Sequence, residues 1–353
     1  MTSENTQEEQ ELTREIPSIP GVINADQVVE TARSIIDLQQ PDGMILWFEG
    51  GHSDPWNHVE AAMALSVAGF TEHAERAYRW LEASQLEDGS WYNYYVVDGV
   101  EDYRKDTNVC AYIATGVWHH YLVTRDESFL VSMWATMENA IDFVVSLQRC
   151  DGGITWCIEP DESMGKFALL TGSSSIYHSI RCALKVAETL GKRRSEWESC
   201  ADKLRHALAN DTGAFEPKDR WAMDWYYPVL SGAVVGDAAS SRIASGWPSF
   251  VVEGKGVRCV SDRPWITAAE TAECVIALDA AGMTAEALEL LGWVQFLRDD
   301  SGAYWTGWVF PDDVHFPGGE RTTYTSAAII LAAHVLSSSD EAAAIFRSEA
   351  VRD

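Results

Sequence analysis

A phrase recurs along this chain wherever one amphipathic stretch gives way to a loop: Gln39-Gln40-Pro41-Asp42-Gly43, Gln85-Leu86-Glu87-Asp88-Gly89-Ser90-Trp91 and Gln148-Arg149-Cys150-Asp151-Gly152. Weaker echoes stand at Asn210-Asp211-Thr212-Gly213 and Asp299-Asp300-Ser301-Gly302. Each copy puts Gly where a helix C-terminus needs positive φ, and each leads through a Trp- or Tyr-bearing loop to another helical stretch. Repetition of that unit predicts helical hairpins stacked side by side.

Helical periodicity divides the chain into two sets. One reads 24–38, 72–86, 126–149, 193–209, 236–245 and 284–298, and carries charge on one face, as in Glu72, Glu75, Arg76, Arg79 and Glu82. The other reads 54–69, 106–124, 173–190, 224–235, 265–282 and 320–337, with a short tail helix at 339–350. Its members are apolar nearly all round (Ala61-Ala62-Met63-Ala64-Leu65), as buried helices are. Asp54, Thr71, Asp106, Ser173 and Thr284 read as N-caps. Six charged helices alternating with six buried ones predict an all-α fold, an (α/α)6 barrel with the apolar set inside; an open solenoid is the alternative. Residues 17–353 then form one barrel domain behind an acidic, disordered tail at 1–16. Connections leading into the inner helices are long (88–105, 151–172, 211–223, 246–264 and 299–319), so the loops that carry function gather at one end.

A formal charge of -28 argues against nucleic acid as a partner. No apolar run approaches the ~20 residues that cross a bilayer, and no secretory signal is visible, so a cytoplasmic protein without membrane insertion is expected. Seven irregularly spaced cysteines fit reduced thiols. No His or Cys set has ligand spacing, so neither a metal nor a cofactor is expected. Homodimer formation stays open.

Ten of the fifteen tryptophans fall in the long loops or in the first turn after them. Trp47, Trp56, Trp225, Trp265 and Trp305 are candidate stacking surfaces for a sugar ring or an apolar chain, whereas Trp91 and Trp156 read as plugs between hairpins. Carboxylates share these regions: Glu49, Asp54, Glu60, Asp106, Asp224, Glu270 and Glu273. Asp54 before Pro55 also reads as an ordinary helix start. Glu60 and Glu270 sit among small apolar residues in the first turns of inner helices, where facing a lumen costs less than being buried unpaired. Two carboxylates across an aromatic cleft suffice for glycoside hydrolysis; Asp54 and Glu270 are the preferred pair, with Glu60, Asp224 and Glu273 in reserve. Asn57, Asn108, Tyr177, His178, Arg321 and Tyr324 are candidate partners for hydroxyl groups, though a lone His such as His178 is more often a core residue.

The segment Gln85–Trp91 matches the QxxxGxW repeat of squalene-hopene cyclases, and the chain resembles the α/α-toroid proteins at the level of architecture. The DxDD acid of those cyclases is absent. With its Trp-lined loops and the segment Trp47-Phe48-Glu49-Gly50-Gly51-His52-Ser53-Asp54-Pro55-Trp56-Asn57, the chain is most similar to the actinobacterial methylmannose polysaccharide hydrolases, endo-acting α-1,4-mannosidases. That resemblance implies an inverting glycosidase, with Asp54 and Glu270 as acid and base and a partly methylated oligomannoside or polysaccharide along the cleft. An isoprenoid-binding cyclase relative and a non-catalytic carbohydrate-binding protein are the alternatives.

Overall fold

A computed structural model describes residues 15–347. Among the described residues, the helices form six hairpins, each an outer helix, a long loop and an inner helix. α1 (Ala25–Ile36) leads to α2 (Pro55–Val67), and α3 (Thr71–Ser84) to the nearly continuous pair α4 (Thr107–Ala111) and α5 (Ile113–Thr124). α6 (Glu127–Ser146) leads to α7 (Leu170–Thr189), α8 (Ser195–Asn210) to α9 (Ala222–Leu230), α10 (Asp237–Phe250) to α11 (Ala268–Ala280), and α12 (Thr284–Trp293) to α13 (Thr323–Ser337). Each inner helix packs on the next, from α2 through α5, α7, α9 and α11 to α13, and α13 packs back on α2. The ring is closed, so the fold is the expected (α/α)6 barrel rather than a solenoid.

The repeated phrase does the joining. Gln39, Gln85 and Gln148 each donate Nε2–H bonds to two carbonyls, that of the Gly four residues on and one on the following outer helix: His73, Thr136 and Cys200 respectively. Gly89 has φ +87°, and a Cβ there would stand 2.3 Å from the Asn139 carbonyl oxygen of α6, so a side chain is excluded twice over. Thr31 on α1 donates its hydroxyl to the Gly302 carbonyl at 2.7 Å, which seats the last copy against the first outer helix. The echo at 210–213 lacks the Gln, and Gly213 meets no neighbouring helix.

The loops are stitched into a rim. Ser53 and Tyr95 exchange backbone hydrogen bonds at 2.8 Å, Glu216 N–H reaches the Ala168 carbonyl at 2.9 Å, and Thr323 N–H reaches the Trp47 carbonyl at 2.8 Å. Strands unforeseen by the periodicity add to it. β1 (Tyr94–Val96) pairs with β2 (Gly99–Asp102), and β3 (Lys105–Asp106) with β4 (Cys157–Ile158). β5 (Val251–Val252), β6 (Gly256–Arg258), β7 (Trp265–Thr267), β8 (Gly307–Val309) and β9 (Val314–Phe316) form an antiparallel sheet in sequence order.

Several boundaries differ from expectation. α7 begins at Leu170, so Ser173, Ser174 and Ser175 are buried inside it instead of capping it. Thr71 and Thr284 are first helical residues with no side-chain cap before them, whereas Asp54 and Asp106 cap as expected. α9 ends at Leu230, because Gly232 takes φ +73°. The tail helix expected at 339–350 is replaced by turns over 341–346, while 348–350 lie outside the described residues. That segment folds under the barrel instead: His178 Nε2 bonds the Ile345 carbonyl at 3.1 Å, and Arg347 Nε pairs with Asp279 at 2.7 Å. Most of the expected tail, 1–14, also lies outside the described residues. Among the described residues no helix is long and apolar enough to cross a membrane.

Candidate active site

At the rim end, where the N-termini of α2, α4, α7 and α9 converge, lies a cavity of about 480 Å³. Pockets for small molecules fall in that size range. Asp54, Asp106 and Asp224 stand around it with Asn57 and Asn108; Trp47, Trp56, Tyr94, Trp156 and Trp221 supply rings, and Val109, Ile154, Leu169, Ile176 and Met223 an aliphatic wall.

Asp54 caps α2 and serves the cavity with the same carboxylate. It accepts from the Asn57 backbone N–H at 3.0 Å, from Asn57 Nδ2 at 2.6 Å and from Trp47 Nε1 at 2.7 Å. It is 2% exposed, and burial raises its pKa against the pull of those donors. Asp106 caps α4 through the Asn108 and Val109 N–H groups; burial pushes it up to about 6, with the Asp54 charge adding to the rise. Asp224, in the first turn of α9, accepts the Thr171 hydroxyl at 2.6 Å, which ties α9 to α7; burial raises it too.

Glu270, in the first turn of α11, stays partly exposed outside that lining, and its pKa is raised by loss of solvent, with the Thr267 side chain holding the rise back. Tyr324 connects it to Asp54. The phenol lies 4.9 Å, ring to ring, from Trp47, and is pushed up by burial first, then by the Glu270 and Asp54 charges. Both preferred carboxylates thus act electrostatically on one phenol.

Below the mouth lie Glu60 and Glu273, both buried. Glu273 accepts the Tyr226 and Tyr227 hydroxyls, each at 2.5 Å; Glu60 accepts the Tyr112 hydroxyl at 3.4 Å. Burial pushes Glu273 up to about 7 and raises Glu60 well above the usual carboxylate range, the latter also through the Glu273 and Asp54 charges. Trp56 roofs this floor, its ring edge-on to Tyr112 at 5.8 Å and to Tyr227 at 6.0 Å.

The remaining candidates separate. Trp305 stacks on His315 at 4.2 Å under the Arg321 guanidinium, which pairs with Asp299, and Trp265 meets Phe316 at 5.2 Å; these sit on the sheet side of the rim, outside the cavity lining. Four others lie away from the cavity. Glu49 is exposed in a turn away from the lining, because Gly50, at φ +72°, turns the loop outward there. Trp225 points away from the lumen: its ring stacks on Phe250 at 5.3 Å, and Nε1 donates to the Arg242 carbonyl at 3.0 Å. His178 is a core residue, stacked on Phe346 at 4.8 Å and lowered to about 4 by burial. Tyr177, next to it on α7, is buried outside the lining as well.

Sequence reasoning missed several neighbours. Trp156 lines the cavity instead of plugging a junction, with the Arg104 guanidinium 5.4 Å over its ring; Trp91, fully buried and donating to the Leu81 carbonyl, is the plug. Arg104, Thr171, Ser173 and Lys218 also face the cavity. A cation in an acidic chain's loop, as at Arg104 and Lys218, was the available signal. Among the described residues no group of three His, Cys, Asp or Glu is placed to hold a metal ion.

The chain is 50% identical over 332 residues to the MMP endo-(1,4)-3-O-methyl-α-D-mannosidase of Mycolicibacterium hassiacum, covering 94% of this chain and 92% of that one. It is similar in fold to a wild-type glycosidase (TM-score 0.71, 16% identity, 88% of this chain and 97% of the other). The GH63 mannosylglycerate hydrolase of Thermus thermophilus, solved with glucose, is similar too (TM-score 0.68, 11% identity, 86% and 99%). No protein-family model matches.

Proposed function

The chain belongs to the glycoside hydrolase family of MMP endo-(1,4)-3-O-methyl-α-D-mannosidase, and on that premise we propose that it cleaves internal α-1,4 bonds of a 3-O-methylmannose oligosaccharide or polysaccharide. One observation carries the proposal: the rim cavity is lined by acids and amides together with aliphatic side chains and indoles. A methylated sugar has the same two characters. Its free hydroxyls need hydrogen-bond partners, while each ether methyl gains from leaving water for an apolar wall.

Asp54 and Glu270 divide the chemistry. One, protonated, gives its proton to the glycosidic oxygen as the C1–O bond breaks; the other, ionised, takes a proton from the water whose oxygen bonds to C1 from the opposite face. The anomeric configuration inverts, which requires carboxyl groups roughly 6.5–9.5 Å apart with the water between them. Burial favours the protonated form of both, and the helix N-terminus favours ionisation of Asp54. Trp47, Tyr94 and Tyr324 shape the saccharide's path past the pair. An isoprenoid-binding lumen needs apolar walls throughout, and Asp54, Asp106 and Asp224 around the cavity argue against it.

The test is incubation with 3-O-methylated and unmethylated α-1,4-oligomannosides, following product length and anomer by NMR. Internal cleavage with β-anomeric first products is expected. No shortening of either substrate at high enzyme concentration overturns the reading. α-Mannosyl fluoride, whose leaving group needs no protonation, restores turnover to whichever of Asp54→Asn and Glu270→Gln has lost the acid.

A further inference from the structure

Glu273 is a poor choice for a residue that only packs. It lies on the lumen side of α11, 7% exposed, in a barrel whose other inner-helix positions are largely aliphatic, and a leucine there would avoid the cost of removing a carboxylate from water. Its surroundings are specific. Two phenols from consecutive residues of α9 converge on it, Tyr226 on Oε2 and Tyr227 on Oε1, each at 2.5 Å. Glu270 precedes it by three residues, hence on the same face of α11 and about 4.5 Å higher along the axis.

The charged and titratable groups facing it come from every side. α9 supplies Tyr226 and Tyr227, α2 supplies Glu60, Tyr112 comes from the junction of α4 and α5, and α11 itself supplies Glu270 and Cys274. None of these groups is a cation. Two neighbouring buried carboxylates cannot both ionise cheaply, and the hydrogen bonds choose between them: Glu273 has two short donors and Glu60 one at 3.4 Å. Of the floor pair Glu273 is therefore the one that gives up its proton first, and then only at about 7, with the Glu270 charge one turn away on the same helix helping to keep that proton in place.

We propose that Glu273 is a positioning residue of the glycosidase reaction: clamped by Tyr226 and Tyr227, it ties α9 to α11 and fixes the placement of Glu270 one turn away. The proposal rests on the reading of Glu270 as one of the two reacting carboxyls.

The test compares Glu273→Gln, Tyr226→Phe/Tyr227→Phe and Glu270→Gln on a 3-O-methylmannose oligosaccharide, measuring kcat, KM and the pH profile of kcat/KM in the folded proteins. Glu273→Gln is expected to lower kcat roughly 10–100-fold, as other groups that orient a reacting side chain do, with KM within about twofold. The pH limb assigned to Glu270 stays in place, because Glu273 still holds its proton while Glu270 titrates. The double tyrosine variant lowers kcat with KM held in the same way, since it frees α9 from the same carboxyl group. If both variants keep the wild-type kcat, or lose kcat only together with a raised KM, Glu273 only packs and the proposal is overturned. Should either fail to fold, Tyr227→Phe, which removes one oxygen, is read in its place: a lower kcat at unchanged KM supports the proposal and an unchanged kcat overturns it. A fully active Glu270→Gln is a separate outcome, which removes the reading of Glu270 and the proposal with it.

Discussion

The mouth and the floor of the lumen hold the same functional group in opposite settings. At the mouth, Asp54 is held by nitrogen donors beside an open cavity, and Glu270 stays partly exposed. At the floor, Glu60 and Glu273 are bonded by phenols and closed off beneath Trp56. Burial raises the pKa of all four, so perturbation alone does not single out a reacting acid. Reach to a substrate does. A carboxyl group that transfers protons must be able to touch the saccharide; Asp54 lines the open cavity and Glu270 stays partly exposed, whereas the floor pair is closed off beneath Trp56.

The largest expected effect tests that division directly. Asp54→Asn and Glu270→Gln each lower kcat by roughly 10²–10⁴-fold, the scale of a lost proton transfer, while calorimetry shows the oligosaccharide still binding. Glu60→Gln losing as much would erase the distinction between the layers. Next, Trp221→Ala raises KM about tenfold with kcat nearly unchanged, because this indole, 44% exposed at the mouth, offers binding area shared by ground and transition states. A fall in kcat of the same size would bring Trp221 into the chemistry.

A smaller effect belongs to the floor and is read in stability. Glu273 has a folded pKa of about 7 against an ordinary 4.5, so the neutral form is the one the fold favours. Its contribution is fully present below about pH 4.5 and disappears as pH rises through about 7. The thermal midpoint of Glu273→Gln should accordingly fall less than wild type's between pH 5 and 8; parallel curves would contradict the assignment. Smallest of all, Glu49→Gln, in the exposed turn outside the cavity, leaves kcat/KM within about twofold of wild type, as exposed substitutions usually do.

The barrel was legible because its determinants are local. A Gln, a Gly four residues later and an apolar helix nearby are visible in a short window, and the structure uses each in the same way at residues 39, 85 and 148. The site was legible only in part, because helix phase relative to the ring axis is not a local property. Asp224, Trp225, Tyr226 and Tyr227 are adjacent in sequence, yet the first faces the cavity, the second packs outward on α10, and the last two grip Glu273. Steps of about 100° separate them, and composition cannot say which points inward. The sheet escaped notice because strands of two or three residues are too short to display an alternating pattern.

The hydroxyl of Thr31 on the carbonyl of Gly302 joins the last unit to the first. Open arrays of hairpins can gain or lose a member at either end and need polar caps on their terminal faces. A circle has no ends to cap, and changing its membership would alter the circumference everywhere at once. The diameter of the lumen is thus locked by arithmetic, leaving the loops as the part of this chain free to diversify without reopening the wall.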